Sequence, residues 1–247
     1  MHPILFKFGP ITIYSYGFAL FIAVLVSLNL LVREAKRSGY NADIIFDLGI
    51  VILFSGILGA RILYVLLNLG FYIENPKEIF MLNHGGLAIL GGVIASNIAA
   101  FIFIKSKKLH FLNTVDLIIP YVALGESIGR IGCFFNGCCY GLPSKFGIYF
   151  PVHDAVLIPT QLITSFSLLI LFIALRNMQI KRQIAGKVFV NYILCYSAIR
   201  FFIEFIRADS QRLFLNLTIF QYFCIILFIS AIGLFIFIKR KSGKEKF

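Results

Sequence analysis

Arginine and glutamate side chains stand inside, or at one end of, stretches of sequence that are otherwise apolar. Arg61 stands alone, Glu126 and Arg130 are four residues apart, and Arg200, Glu204 and Arg207 follow at intervals of four and three. That spacing puts the last three on one face of a helix. An ionisable group inside a bilayer costs roughly 2.5–3.5 kcal/mol on insertion scales, so each needs a partner or a task. Four arginines against two glutamates leave a surplus of positive charge. Arginine's planar fork donates two parallel hydrogen bonds to a phosphate, and the group reads as an anion site for a phospholipid headgroup. Interhelical ion pairs and snorkelling arginines that only set the packing are the plainer use of the same residues.

Cys133, Cys138 and Cys139 form a C-x4-C-C run, whereas Cys195 and Cys224 lie in apolar stretches and read as packing. The run has three uses. A disulfide is the favoured one on an oxidising face. A nucleophilic or resolving thiol beside Arg130 is the second, since nearby positive charge lowers a thiol pKa. Zinc binding is the third, and the run lacks a clear fourth ligand for it. No metal and no cofactor are expected.

Glycine marks further positions. Gly85-Gly86 and Gly91-Gly92 bracket the start of one apolar stretch; Gly125, Gly129, Gly132, Gly137 and Gly141 step along another and past its end. They suit close helix packing, or an approach of backbone N–H groups to an oxyanion. Asp47 and Asp116 stand where an acidic group favours the positive start of a helix. His84 and His153 read as solvated loop residues.

The elements that must carry these residues follow from composition. Of 247 residues, 60% are hydrophobic and 14% charged, and the mean hydropathy is +0.91. Soluble domains carry about 45–50% apolar and about 25% charged residues. Disordered, coiled-coil and collagen-like chains are excluded on the same grounds. A crossing helix needs about 20 apolar residues. Seven stretches qualify: about 12–32, 44–67, 85–104, 111–129, 159–175, 186–206 and 218–238. The expected fold is therefore all-α, a multispan membrane helix bundle in a single integral membrane domain over 1–247, with a loop at 130–158. With no short cleavable hydrophobic segment and small-residue cleavage site, the first span is expected to stay in the mature protein, and no internal repeat points to a carrier built from inverted halves.

Lysine and arginine set the expected orientation. The segments after spans one, three, five and seven hold fifteen basic residues, including Arg33, Lys105, Lys181 and Lys239, against six on the other side. This predicts an N-terminus outside, a cytoplasmic C-terminus and an outward-facing 130–158 loop. The net charge of +12 then reflects topology and anionic headgroups, not nucleic acid.

The chain resembles the prolipoprotein diacylglyceryl transferases, bacterial enzymes that lipidate the lipobox cysteine of exported precursors. The likeness runs through Gly9-Pro10, Tyr16-Gly17, Arg61-Ile62-Leu63-Tyr64 and Gly85-Gly86-Leu87 to Gly91-Gly92. It continues through Gly129-Arg130-Ile131-Gly132-Cys133-Phe134-Phe135-Asn136-Gly137, Gly141, and Pro159-Thr160-Gln161-Leu162. It ends at Tyr196, Arg200-Phe201, Glu204, Arg207 and Asp209. Cys133 and Cys138 stand where the family usually has Asn and Glu, Leu90 where it has His, and Ile158 and Ile163-Thr164 flank the Pro-Thr-Gln-Leu segment. The chain thus resembles a divergent, cysteine-bearing branch.

The resemblance implies transfer of an sn-1,2-diacylglyceryl group from phosphatidylglycerol, or a related anionic phospholipid, to the lipobox cysteine in a prolipoprotein signal peptide. The product is a thioether and the leaving group glycerol phosphate. It implies a multi-pass protein of the bacterial cytoplasmic (inner) membrane with its site on the outer side. Arg130 and Arg200 would take the phosphate, with Arg61 and Arg207 in support. Glu204 would orient Arg200 or act as base, Glu126 is the other base, and Tyr16 would serve the headgroup or a proton relay. Asn136, Gly85, Gly86 and Gly141 fall at substrate-contact positions. A lipid-binding or thiol-redox protein with another acceptor, or with no transferase activity, is the alternative.

Overall fold

The computed structural model describes residues 1–9, 11–81, 85–181 and 184–244. Among them, seven helices are long and apolar enough to cross a membrane. They are α1 (Ser15–Arg37), α2 (Ala42–Leu67), α4 (Ile89–Ser106), α5 (Phe111–Asn136), α6 (Thr160–Ile180), α7 (Lys187–Phe205) and α8 (Ile219–Lys244). A short α3 (Leu69–Glu74) and a 3₁₀ turn (Pro76–Phe80) follow α2. Phe54, Leu58 and Ile62, spaced by four along α2, are 59%, 61% and 59% exposed. Such a stripe would be costly in water and is at home in hydrocarbon.

Departures from the all-helical expectation lie at the helix ends. Residues 11–14 belong to β2 (Ile11–Tyr14), paired antiparallel with β1 (Ile4–Phe8), so α1 starts at Ser15 and not at 12. Ser15 donates its backbone N–H to Pro3 O at 2.9 Å and its hydroxyl to His2 O, which fastens this hairpin to the start of α1. The third crossing helix starts at Ile89 because Gly85 and Gly86 take φ of +81° and +82°, left-handed values that end or precede helices. The 130–158 segment is not a plain loop. Helix α5 runs on to Asn136, and β3 (Pro143–Phe150) pairs antiparallel with β4 (Ala155–Leu157).

The chain divides into two compact units, residues 1–31 with 115–247, and residues 32–114. In the second, α2 and α4 meet backbone to backbone. A Cβ added at Gly59 would lie 2.2 Å from Ala95 Cβ, and one at Gly91 would lie 2.3 Å from Gly59 O. Gly91 and Gly92 therefore serve close packing, as small residues do between membrane helices.

In the first unit, Leu168, Leu171 and Leu175 of α6 bury against Val188, with Ile119, Tyr192 and Tyr196 packed around them. Val190, Ala231 and Ile238 join α7 to α8. Two polar devices fix α5 in place. Ser127 and Ser165 each donate a hydroxyl to the other's carbonyl at 2.8 Å, binding α5 to α6. The Asp116 carboxylate accepts from Gly186 N at 2.7 Å and Phe189 N at 2.8 Å. The sequence assigned Asp116 to its own helix start; it caps α7 instead, where four N–H groups lack intrahelical partners.

Candidate active site

Tyr16 is placed by the β1–β2 hairpin on the first turn of α1, and it is 38% exposed. Helix α5 comes close here because Gly132 has no side chain. A Cβ at that position would lie 2.6 Å from Ala19 Cβ and 3.4 Å from Tyr16 Cα. The Tyr16 ring stands within electrostatic reach of Arg130, Cys133, Cys138 and Cys139.

On α5, Arg130 NH2 donates to Glu126 Oε1 at 2.9 Å, one turn away. The Tyr196 hydroxyl donates to the same oxygen at 3.3 Å from α7, and Tyr192 stacks on Tyr196 with ring centroids 5.4 Å apart. One turn further along α7, Arg200 NH2 lies 2.9 Å from Glu204 Oε2 and its guanidinium sits over the Phe220 ring at 5.3 Å. Arg130, Tyr196 and Arg200 are all within electrostatic reach of one another. Two guanidinium groups from α5 and α7 therefore share a neighbourhood, each with N–H donors that have no protein acceptor among the described residues.

Glu204 is enclosed. Its side chain has no exposed surface, Oε1 accepts from Ser210 at 2.6 Å and Thr218 at 3.1 Å, and Oε2 faces Arg200. Arg207 comes within 3.9 Å of Oε2 but spends its fork on Asp209, Nε to Oδ1 and NH2 to Oδ2, both at 2.8 Å. The charge balance differs from the sequence expectation here. Asp209 enters the group as a third carboxylate, so Arg130, Arg200 and Arg207 face Glu126, Glu204 and Asp209. Two surface cavities are lined by Ile184, Lys187, Phe235, Ile238 and Lys239, and by Pro143, Ser144, Lys145 and Val156; neither wall includes one of these arginines.

Arg61 is in the other unit and is engaged by its own loop. Nε donates to Ile79 O, NH1 to Gly85 O and Gly86 O, and NH2 to Glu78 O and Met81 O, at 2.5–3.1 Å. All five donors of a guanidinium are thereby used on carbonyls, and a phosphate would have to displace one. Gly85 and Gly86 present carbonyls to this arginine, so their oxygens, not N–H groups, are what the arrangement uses. A Cβ on Gly86 would lie 2.5 Å from the Tyr64 ring. His84 lies outside the described residues.

Cys133, Cys138 and Cys139 are free, and their Sγ atoms lie within 4.8 Å of one another. Hydrogen bonds from Cys133 and Cys139, with another from Asn136, hold the Cys138 thiol well below the usual thiol range. Gly137 turns the chain at φ +75° and His153 Nε2 meets its carbonyl at 2.9 Å, so His153 is a loop fastener and not merely solvated. From α6, Gln161 Nε2 donates to Cys138 O at 2.6 Å and Thr160 Oγ1 to Cys139 O at 2.5 Å. Gly141 belongs to the same stitching. Its N–H donates to Ile158 O at 2.9 Å, and a Cβ would lie 2.8 Å from Ile206 O, leaving no room for a side chain.

Three contributors had no role assigned from sequence: Ser210, Thr218 and the Gln161 amide. Thr218 carried a signal, since Thr218-Ile219-Phe220-Gln221 is a capping box. Thr218 N donates to Gln221 Oε1 at 2.8 Å, and Gln221 N to Thr218 Oγ1 at 3.3 Å.

Comparison with known proteins gives one answer. The profile of the family described as prolipoprotein diacylglyceryl transferase matches residues 3–237. The chain is 36% identical over 245 residues to the phosphatidylglycerol–prolipoprotein diacylglyceryl transferase of Clostridium tetani, covering 96% of this chain and 97% of that one. It is 34% identical over 260 residues to the Bacillus licheniformis enzyme of the same name, covering 99% and 95%. The Nostoc enzyme of that name is 37% identical over 228 residues, covering 85% and 80%.

Proposed function

The chain belongs to the prolipoprotein diacylglyceryl transferase family, and we propose that it moves an sn-1,2-diacylglyceryl group from phosphatidylglycerol to the lipobox cysteine of a prolipoprotein. The acceptor thiol loses its proton, its sulfur bonds to the glyceryl carbon, and the carbon–oxygen bond to phosphate breaks. The electron pair leaves with glycerol phosphate.

The observation that carries this reading is that Arg130 and Arg200, from α5 and α7, lie within electrostatic reach of each other with donors to spare. Fixed positive charge in a water-poor site is most effective where negative charge develops, here on the departing phosphate. Glu204 is a positioning residue in this scheme. Two hydroxyl donors and Arg200 occupy its oxygens, and with no exposed surface it holds Arg200 and does not reach substrate. Glu126 aims Arg130 and, 25% exposed, is the carboxylate nearer to solvent. Tyr16 contributes a hydroxyl-bearing ring within electrostatic reach of Arg130, suited to the headgroup. Arg207, held by Asp209, fastens the chain after α7, and Arg61 with Gly85 and Gly86 shapes its loop.

The seven crossing helices make the protein multi-pass. In this proposal it resides in the bacterial cytoplasmic membrane with Arg130 and Arg200 toward the outside; the excess of lysine and arginine on the opposite loops supports that sense.

The test is purified full-length protein in detergent with phosphatidylglycerol and a peptide carrying a lipobox cysteine, followed by mass spectrometry. A diacylglyceryl addition on the cysteine is expected, and none on a serine peptide. Absence of the addition from protein that stays monodisperse would remove the proposal.

A further inference from the structure

The transfer just described makes no use of Cys133, Cys138 and Cys139, yet the fold builds them into one place. Cys133 is buried on the last turns of α5, and the chain doubles back through Gly137. Cys139 then takes φ +63°, a left-handed value that side-chain-bearing residues rarely adopt. Local backbone of that kind persists only where the surroundings hold it. They do so here: Cys138 N donates to Cys133 O at 3.2 Å, and Gln161 and Thr160, each 1% exposed, hold the carbonyls of Cys138 and Cys139. The result is three sulfurs mutually within 4.8 Å.

A disulfide uses two thiols and leaves the third over. Three thiols mutually within 4.8 Å suit one ion. Metal–sulfur bonds of about 2.3 Å around zinc put its sulfur ligands roughly 3.8 Å apart, inside the spacing available. Three thiolates around a divalent ion carry one net negative charge, and Arg130 stands within electrostatic reach of Cys133 to balance it. Among the described residues no fourth Cys, His, Asp or Glu joins the group. Three protein ligands with an open fourth position is the pattern of a reactive zinc site, not a structural one.

We propose that Cys133, Cys138 and Cys139 bind one zinc ion, or a thiophilic divalent cation of its class, with the fourth position open to the acceptor cysteine. The second half rests on the function proposed above. The acceptor thiol releases its proton to solvent on binding, because a thiol on such an ion is deprotonated outright. A free cysteine with a pKa of about 8.5 is mostly protonated at neutral pH, so the ion supplies the thiolate without a general base. Carbon–sulfur bond formation then proceeds as before, with the phosphate leaving toward Arg130 and Arg200. Half-buried Cys138 and Cys139 leave the cluster approachable, whereas Cys133 closes its inner side.

The experiment uses full-length protein purified in detergent under reducing conditions, loaded with zinc, desalted and measured for bound metal. A parallel sample takes cobalt for its sulfur-to-metal charge-transfer bands. About one equivalent retained is expected. Cys138→Ser and Cys139→Ser, at half-buried positions that spare the helix core, should each weaken retention on the order of tenfold or more, while Cys195→Ser should not. Cobalt bands should shift on adding a lipobox cysteine peptide and not its serine counterpart. Zinc retention unaffected by Cys138→Ser, or a disulfide among the three that persists after reduction and zinc loading, would overturn the site. Unshifted cobalt bands would overturn the open position. Full-rate transfer by metal-free protein would sink this inference and leave the proposed function standing; metal bound and bands shifted without any transfer would do the reverse.

Discussion

Arg200 and Glu204 face each other across one turn of α7, NH2 to Oε2 at 2.9 Å, and the carboxylate of the pair has no exposed surface. The carboxylate's other oxygen is taken by Ser210 and Thr218. An arginine held this way has a fixed direction, and the direction serves whatever anion it meets.

Removing the carboxylate leaves a guanidinium buried without its partner. Glu204→Ala is expected to destabilise the protein by about 3–5 kcal/mol, the usual cost of breaking a buried pair from one side. Ser210→Ala removes one hydroxyl donor and is expected to cost about 1 kcal/mol. Thermal unfolding in detergent reads both. If Glu204 positions Arg200, Glu204→Gln lowers the transfer rate without moving its pH profile; a profile displaced by that substitution would make Glu204 the base.

Arg130→Ala and Arg200→Ala are each expected to reduce transfer by about 10²–10³, the effect of deleting one charge-stabilising donor. Both variants should still insert in the membrane. Transfer assays on membranes of matched protein content check this, and near-normal rates in both would reject the phosphate assignment.

Arg61→Lys replaces five N–H donors in a planar fork by three on a flexible stem. The carbonyls of Glu78, Ile79, Met81, Gly85 and Gly86 then cannot all be served. Faster amide exchange in the segment after α3 is the expected result, and unchanged protection would mean that Arg61 does not organise it.

Cys138 should alkylate at unusually low pH in metal-free protein. Its depressed pKa means that the thiolate is present above that value and is lost only as pH falls through it. Iodoacetamide labelling at pH 6 is therefore expected at Cys138. In Cys133→Ser and Cys139→Ser the two neighbours that most depress it are changed, so labelling should require higher pH. A labelling curve centred near the ordinary value of about 8.5 in the parent protein would contradict the sulfur contacts described above.

The seven spans were legible because a bilayer demands a long apolar run for each, and α2, α6 and α7 begin within about two residues of the boundaries read from hydropathy. The two hairpins were not legible. Residues 11–14 continue the apolar run of α1, and only pairing with Ile4–Phe8 shows that they are extended. The charged positions stood out because hydrocarbon makes them costly, yet their partners depended on chain folding beyond the spans. Asp209 lies past the end of α7, and nothing in its spacing tells that it takes both ends of the Arg207 fork. Arg61 likewise looked like a lone charge in an apolar helix, whereas its partners are carbonyls 17–25 residues away, which no side-chain pattern announces.

The reciprocal serine clasp between Ser127 and Ser165 bears on how a lipid gets in. Each hydroxyl is donor to the other helix's main chain, so sliding or rolling α5 against α6 strands two polar groups in hydrocarbon at once. That seam is closed to side-on traffic. If Arg130 takes the phosphate as proposed, the lipid must reach it by parting some other pair of helices.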